Sequence, residues 1–221
     1  MKESSKTRLH LSDAERALMR GRVLDIGAGD DPVTPDAVPF DLAHGDANHI
    51  TAFAPSSFDC VYSSHCLEHM HDPVASLHNW WSLVRPGGHL FLVVPDEDLY
   101  EQGLFPSRFN SDHKSTFTIA KKRSWSPRSF NVLELCLGLP DAQVLSVRLN
   151  DIDYDRAIAH HGPLHRGLLA RRVARSYRSL RKRGWVGRSA FLEHLAASTL
   201  GVDQSHGPAM AQIEAVVRKL G

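Results

Sequence analysis

The sequence predicts an α/β domain, a mainly parallel sheet with helices on both faces. Three observations carry that expectation. Apolar runs of strand length, at 22–26, 58–64 and 89–95, alternate with segments of helical period. The first run ends in Gly27 and Gly29, where a chain leaving a strand turns sharply and a ligand can approach the backbone closely. The 221 residues are 42% hydrophobic and 23% charged. That suits one domain with room for an insertion and argues against a disordered, fibrous or membrane-embedded chain.

The elements follow in order. Ser12 with Glu15 makes a capping box and starts a short helix over 12–19. Residues 22–26 are a buried strand by pattern. Three prolines within 32–39 exclude a long helix there, and 38–42 is a second, short strand. Residues 58–64 form another strand, followed by a helical stretch around 66–70. Asp72-Pro73 stops or restarts that helix, and 74–84 continues with Leu77, Trp80, Trp81 and Val84 as apolar positions. Arg85-Pro86-Gly87-Gly88 is a sharp turn into the strand 89–95. The stretch 96–118 is polar and long for a loop in a compact domain, which marks it as functional. A helix with Pro127 in its first turn is expected over 126–138, and 144–149 alternates as a half-exposed strand does. Residues 164–183 place Leu168, Leu169, Val173, Tyr177 and Leu180 on one helical stripe among arginines. The last segment fits a helix through Met210, Ile213, Val216, Val217 and Leu220, or a strand through Ile213, Ala215 and Val217. The strand, over 212–219, is preferred.

The net charge of +1 hides an asymmetry: from Arg156 through Leu192 there are nine Arg and one Lys, and no Asp or Glu. A helical insertion over 153–208 is expected, between the core at 12–150 and a closing strand at 209–221. Its arginines, from Arg156 to Arg188, are either solvated or turned toward an anionic membrane surface or acidic acceptor. Nucleic acid is disfavoured, because few aromatics are there to stack bases. Cys60, Cys66 and Cys136 are odd in number without C-x-x-C spacing and read as buried, reduced thiols. Residues 1–10 lack a secretory apolar core, and no apolar run is long enough to span a bilayer. The expectation is a cytoplasmic protein, with membrane contact at most peripheral.

Residues 23–30, Val-Leu-Asp-Ile-Gly-Ala-Gly-Asp, put a D-x-G-x-G pattern at the end of the first strand. A dinucleotide fingerprint wants a third small residue three positions after the second glycine, and a ribose-binding acid about twenty residues on. Here Pro32 occupies the first position and Asp41 follows Gly29 by only twelve residues. A pyrophosphate cradle is disfavoured, and a cofactor without phosphates fits better.

At this point the chain resembles class I S-adenosylmethionine-dependent methyltransferases, of the type 11-like kind that includes glycan and small-molecule O-methyltransferases. Residues 23–30 resemble the family's first motif, Phe40-Asp41 the acid ending its second strand, and Gly45-Asp46-Ala47 the following loop. Residues 57–73 and 83–96 resemble its fourth and fifth strands with their flanking segments. The resemblance covers about residues 22–150. It implies a Rossmann-like sheet of seven strands, mostly parallel, in one domain spanning 1–221. It also implies that Gly27, Ala28 and Gly29 pass the methionine part of S-adenosylmethionine, with Asp25 orienting its amino group. Asp41 would accept from the ribose hydroxyls, Asp46 and Ala47 would face the adenine, and Ser64 and His65 would lie beside the sulfonium. The helix usual between the second strand and Asp46 is missing, which leaves a plain strand-end role open for Asp41.

An alcohol acceptor is a poor nucleophile and benefits from a base, and histidine suits neutral pH. Two candidates arise: His65 at a strand end, and His113 in the loop 96–118 with Asp112 to orient it. A surface-loop histidine is the alternative for His113. Arg108 is a candidate contact for an anionic acceptor. His65, His69, His71 and Asp72 have the look of a metal cluster, but Leu67-Glu68-His69 matches a helix-start feature of the resembling family, so no metal is expected. The function expected is O-methylation of a hydroxyl on a sugar, polysaccharide or related small molecule. RNA or a natural product as acceptor, or a catalytically silent module docking on an anionic partner, are the alternatives.

Overall fold

A computed structural model describes residues 3–119, 121–156 and 168–221. The elements are α1 (Glu3–His10), α2 (Asp13–Leu18), β1 (Val23–Ile26), β2 (Val38–Phe40), β3 (Phe58–Ser64), α3 (Pro73–Leu83), β4 (Val84–Pro95), β5 (Thr116–Thr118), β6 (Ser129–Asn131), α4 (Val132–Leu137), β7 (Ala142–Asn150), α5 (Leu168–Lys182), α6 (Ala190–Leu200) and β8 (Gln212–Lys219). Six strands form one sheet in the order β2-β1-β3-β4-β8-β7, and β5 and β6 form a separate parallel pair. β1, β2, β3 and β4 run parallel, whereas β8 is antiparallel to both β4 and β7.

Among the described residues the sheet therefore has six strands, not the expected seven, and is mixed in direction. The shortfall lies after β2. There the chain is spent on turns, with the N–H groups of His44 and Gly45 bonding back to Asp41 and that of His49 to Asp46. Among the described strands β2 is left at the sheet edge.

Alternation along the strands fills two layers. Leu24, Ile26, Val61, Leu90, Leu92 and Val94 point to one side, packing with Leu77, Trp80 and Trp81 of α3 and with Val132 and Cys136 of α4. Val23, Cys60, Tyr62, Phe91 and Val93 point to the other and meet Leu11 and Met19 at either end of α2. Each such large side chain contributes roughly 1.5–3 kcal/mol by leaving water. β8 repeats the pattern, with Ile213, Ala215 and Val217 in the first layer and Val216 in the second, so the strand reading of 212–219 holds.

Local chemistry sets the boundaries. Ser12 and Glu15 close the expected capping box on α2. Asp72 starts α3 afresh: its carboxylate accepts from the N–H groups of Val74 at 3.0 Å and Ala75 at 3.1 Å, with Pro73 at the first position. Residues 85–88 do not separate two elements. Val84 pairs with Phe58 and His89 with Cys60, so the expected turn is a bulge within one strand. The helix expected over 126–138 is shorter because Ser129–Asn131 pairs with β5 and Asn131 then caps Val132–Leu137.

Helix α1 was not foreseen. It is tied down by Ser5, whose N–H and hydroxyl bond Asp31 at 2.7 and 2.5 Å, and by Lys6, which bonds the Ser205 carbonyl at 2.6 Å. The expected apolar stripe of the basic helix is mostly not packed. Tyr177 with Ala174 meets Ala196 and Leu200 of α6, while Leu168, Leu169 and Val173 are exposed; positions 164–167 lie outside the described residues. The three cysteines are free and buried. Among the described residues no helix is long and apolar enough to cross a membrane.

Candidate active site

The carboxyl ends of β1, β2 and β3 open on a cavity of about 380 Å³. Gly27 makes the close approach. Its φ is +82°, its N–H donates to Phe40 O at 2.8 Å, and a Cβ there would stand 2.8 Å from the Cys66 Cβ. Any side chain would strain the backbone and crowd the wall. Gly29, at φ +54°, donates its N–H to Asp41 Oδ2 at 2.7 Å, and Leu42 N–H meets Asp41 Oδ1 at 2.6 Å. Two backbone groups thus hold this carboxylate still, and each oxygen keeps a further lone pair.

Asp46 and Ala47 form the facing wall. α3 carries their loop: Trp80 Nε1 donates to Ala47 O at 2.8 Å, and Ser76 Oγ to Asn48 O at 3.1 Å. Hydrogen bonds from the Asn48 side chain and backbone hold the Asp46 carboxyl below its usual range. His65, with φ +52°, follows β3 and lines this cavity as well as the next.

Four of the expected positions, Asp25, Ala28, Gly29 and Ser64, lie off the wall. Asp25 is buried, accepting from Val33 N–H at 2.6 Å while its other oxygen has no partner. Burial is the main cause pushing its carboxyl up to about 7. Ala28 and Ser64 are also buried, the Ser64 hydroxyl without a partner.

A second cavity, of about 440 Å³, adjoins the first and shares His65 and His69 with it. His113 and Tyr100 come from the loop 96–118, and Asp203 and His206 from the segment before β8. Glu97 anchors that loop. It accepts from Thr116 Oγ1 at 3.1 Å, Ser124 Oγ at 2.8 Å, Ser129 Oγ at 2.5 Å and Lys121 Nζ at 2.9 Å.

His113 is 6% exposed and stacks on Tyr100 with ring centroids 5.1 Å apart. Its Nδ1 lies 2.7 Å from Glu101 Oε1. Asp112, expected to orient it, instead pairs with His69 Nδ1 at 2.9 Å and Lys114 Nζ at 3.1 Å. The loop turns Asp112 outward and Glu101 inward. With Nδ1–H given to Glu101, Nε2 of His113 is left as a proton acceptor.

Glu68 is fully buried between the histidines, 3.4 Å from His65 Nδ1 and 3.9 Å from His113 Nε2. Burial pushes its carboxyl up, but His65, His113 and His69 outweigh this and hold it below the ordinary range. One ring nitrogen each of His69 and His113 and one Glu68 oxygen lie within 4.8 Å of one another, a set able to hold a metal ion. Arg108 is not part of either wall.

Sequence reasoning missed Glu101, Tyr100, Asp203 and His206, and took Glu68 for a packing residue. Only the length of the loop 96–118 pointed toward the first two.

The first cavity's lining tests its occupant. It offers three carboxylates and a glycine backbone, and among the described residues its one Lys or Arg is Lys114, whose Nζ is already bonded to His69 O at 2.8 Å and to Asp112. Such walls repel a pyrophosphate and suit a cationic sulfonium nucleoside with a ribose diol. Fold and site together define an α/β protein with two cavities that share the His65 and His69 wall, the first of them lined by carboxylates and glycine backbone.

Residues 5–126, more than half of the chain, match the family model described as methyltransferase domain, and the chain belongs to that family. It is a methyltransferase, and its methyl donor is S-adenosylmethionine. No curated protein matches the sequence. Among solved structures, an S-adenosylmethionine-dependent methyltransferase from Archaeoglobus fulgidus is similar at 15% identity and TM-score 0.52, over 97% of this chain and 93% of the other. Phosphoethanolamine N-methyltransferase 2 of Haemonchus contortus, solved with phosphomonomethylethanolamine and S-adenosylhomocysteine, is similar at 13% identity and TM-score 0.50, over 93% of this chain and 51% of the other. At such identities the likeness shows the fold.

Proposed function

We propose that the second cavity takes a neutral, polar small molecule and that the enzyme methylates a hydroxyl on it, a sugar of a polysaccharide or related precursor. The observation that carries this is the His113–Glu101 pair in a cavity sharing the His65 wall with the nucleoside cavity. Lys and Arg are absent from the described lining of the second cavity, while Glu68 and Asp203 are present. That disfavours a phosphorylated or acidic acceptor.

Bound S-adenosylmethionine supplies a methyl group already activated on a sulfonium. Gly27 lines the passage for its methionine part, with Ala28, Gly29 and the buried Asp25 shaping the turn behind it. Asp41 accepts from the ribose hydroxyls, Asp46 and Ala47 face the adenine, and His65, with Ser64 buried behind it, closes the end nearest the second cavity. There His113 Nε2 takes the proton of the acceptor hydroxyl as its oxygen gains the methyl group, and Glu101 steadies the resulting imidazolium. Holding both partners in adjoining cavities supplies much of the acceleration. On this reading 1–221 is one domain, with 153–208 inserted and 209–221 closing the sheet. The arginines exposed on α5 face solvent or an anionic surface, not the acceptor.

Incubation with isotopically labelled donor and a panel of sugars, nucleotide sugars and amines tests the reading. A sugar product carrying one added O-methyl group, located by NMR, is expected. Methylation confined to amines would refute it.

A further inference from the structure

The resemblance drawn from the sequence left no place for a metal, and the spacing His65-x-x-x-His69 first suggested two imidazoles of one helix as ligands. The fold gathers a different set. His69 comes from the turn after β3, His113 from the loop beyond β4, and Glu68 lies between them. We propose that Glu68, His69 and His113 form a binding site for a divalent cation of the zinc class, open to the second cavity.

Three features carry this. First, convergence: the three ligand atoms already lie within 4.8 Å of one another. Around a tetrahedral zinc they would stand about 3.3 Å apart, given bonds of roughly 2.0–2.1 Å, so small side-chain rotations close the set. Second, each histidine is held from behind by a carboxylate. Glu101 Oε1 is 2.7 Å from His113 Nδ1, and Asp112 Oδ2 is 2.9 Å from His69 Nδ1. A carboxylate on one ring nitrogen fixes the tautomer and turns the other nitrogen, unprotonated, toward a metal. Third, Glu68 is a fully buried carboxylate held by long ion-pair contacts, to His65 Nδ1 at 3.4 Å and His113 Nε2 at 3.9 Å, whereas a buried carboxylate ordinarily finds several short hydrogen bonds. A cation satisfies it.

Two imidazoles and one carboxylate suit zinc, cobalt or nickel, whereas calcium and magnesium prefer oxygen alone. Three protein ligands leave a position facing the cavity, as in catalytic rather than structural sites. The cation and the acceptor's proton use the same lone pair on His113 Nε2, so loading takes His113 out of proton transfer and puts a Lewis acid in its place. The site thus has two states, one with a base and one with a cation.

The test uses the full chain stripped with a chelator and titrated with Co(II), followed by its visible absorption and by calorimetry, without acceptor. One Co(II) per chain is expected, displaced by Zn(II) and not by Mg(II). His113→Gln is expected to abolish it. Glu101→Gln, which removes only the buttress, is expected to weaken it 10–100-fold. Both variants should still bind S-adenosylhomocysteine, since neither residue lines that cavity, and this shows that they fold. Absence of binding, or binding that His113→Gln and Glu101→Gln leave unchanged, overturns the proposal. Methyl transfer by the chelator-treated enzyme that binds no Co(II) would leave the acceptor reading standing while the cation site fails, so the two are separable.

Discussion

Replacing Asp25 by Asn should flatten the dependence of stability on pH. The folded chain holds this carboxyl at about 7, against 3.8 ordinarily, chiefly through burial. At 1.36 kcal/mol per unit, that difference is about 4 kcal/mol. The sign follows from linkage. Below pH ~4 the group is protonated in both states and folding costs nothing there. Between pH ~4 and ~7 the unfolded chain ionises while the folded one does not, so the native state loses stability as pH rises, and the loss is complete above about 7. Asparagine is neutral throughout and keeps an oxygen for the Val33 N–H, now at 2.6 Å. Urea unfolding of both proteins across that range, without cofactor, should show the variant gaining on the parent steadily, toward about 4 kcal/mol. Asp96, pushed up to about 6 by burial, titrates alike in both and cancels from the difference. A parent–variant difference that stays constant with pH would refute the reasoning.

Other consequences are as direct. Glu101→Gln should lower turnover of the acceptor by about 10²–10⁴-fold, because the amide no longer favours the Nδ1–H tautomer or the imidazolium of His113; single-turnover kinetics would check it, and a change confined to KM would contradict it. Trp80 is fully buried and its Nε1 holds the Ala47 carbonyl, so Trp80→Ala should cost about 3–5 kcal/mol of stability, read by denaturant unfolding. Ser12→Ala should cost about 1 kcal/mol through loss of the α2 capping box, detectable by the same method.

What could be foreseen was what local chemistry determines. Glycines after β1, the Asp72-capped start of α3 with Pro73 at its first position and the apolar run 90–95 of β4 each signal their structure through a few neighbouring residues. The strand 212–219 was separable from a helix only narrowly, because Val216 and Val217 serve opposite faces of the sheet. Elements that depend on distant partners were not visible. α1 rests on Asp31 and Ser205, and β6 exists because β5 offers it an edge. The first cavity, the one proposed for the nucleoside, was largely legible as a place, since Gly27, Asp41, Asp46, Ala47 and His65 all line it. The second, proposed for the acceptor, was not, beyond His65 and His113. Glu101 lies twelve residues before the histidine it orients, and Asp203 and His206 enter from a segment whose sequence carries no motif.

Everything rests on the first cavity receiving a sulfonium nucleoside, and calorimetric titration with S-adenosylhomocysteine measures this most directly. The parent should bind one equivalent. Asp41→Ala should weaken binding by roughly 1.5–3 kcal/mol for each charged hydrogen bond lost. Gly27→Ala should abolish it while unfolding cooperatively, because the new Cβ meets Cys66 at the wall. No binding by the parent, or undiminished binding by Gly27→Ala, would contradict the account.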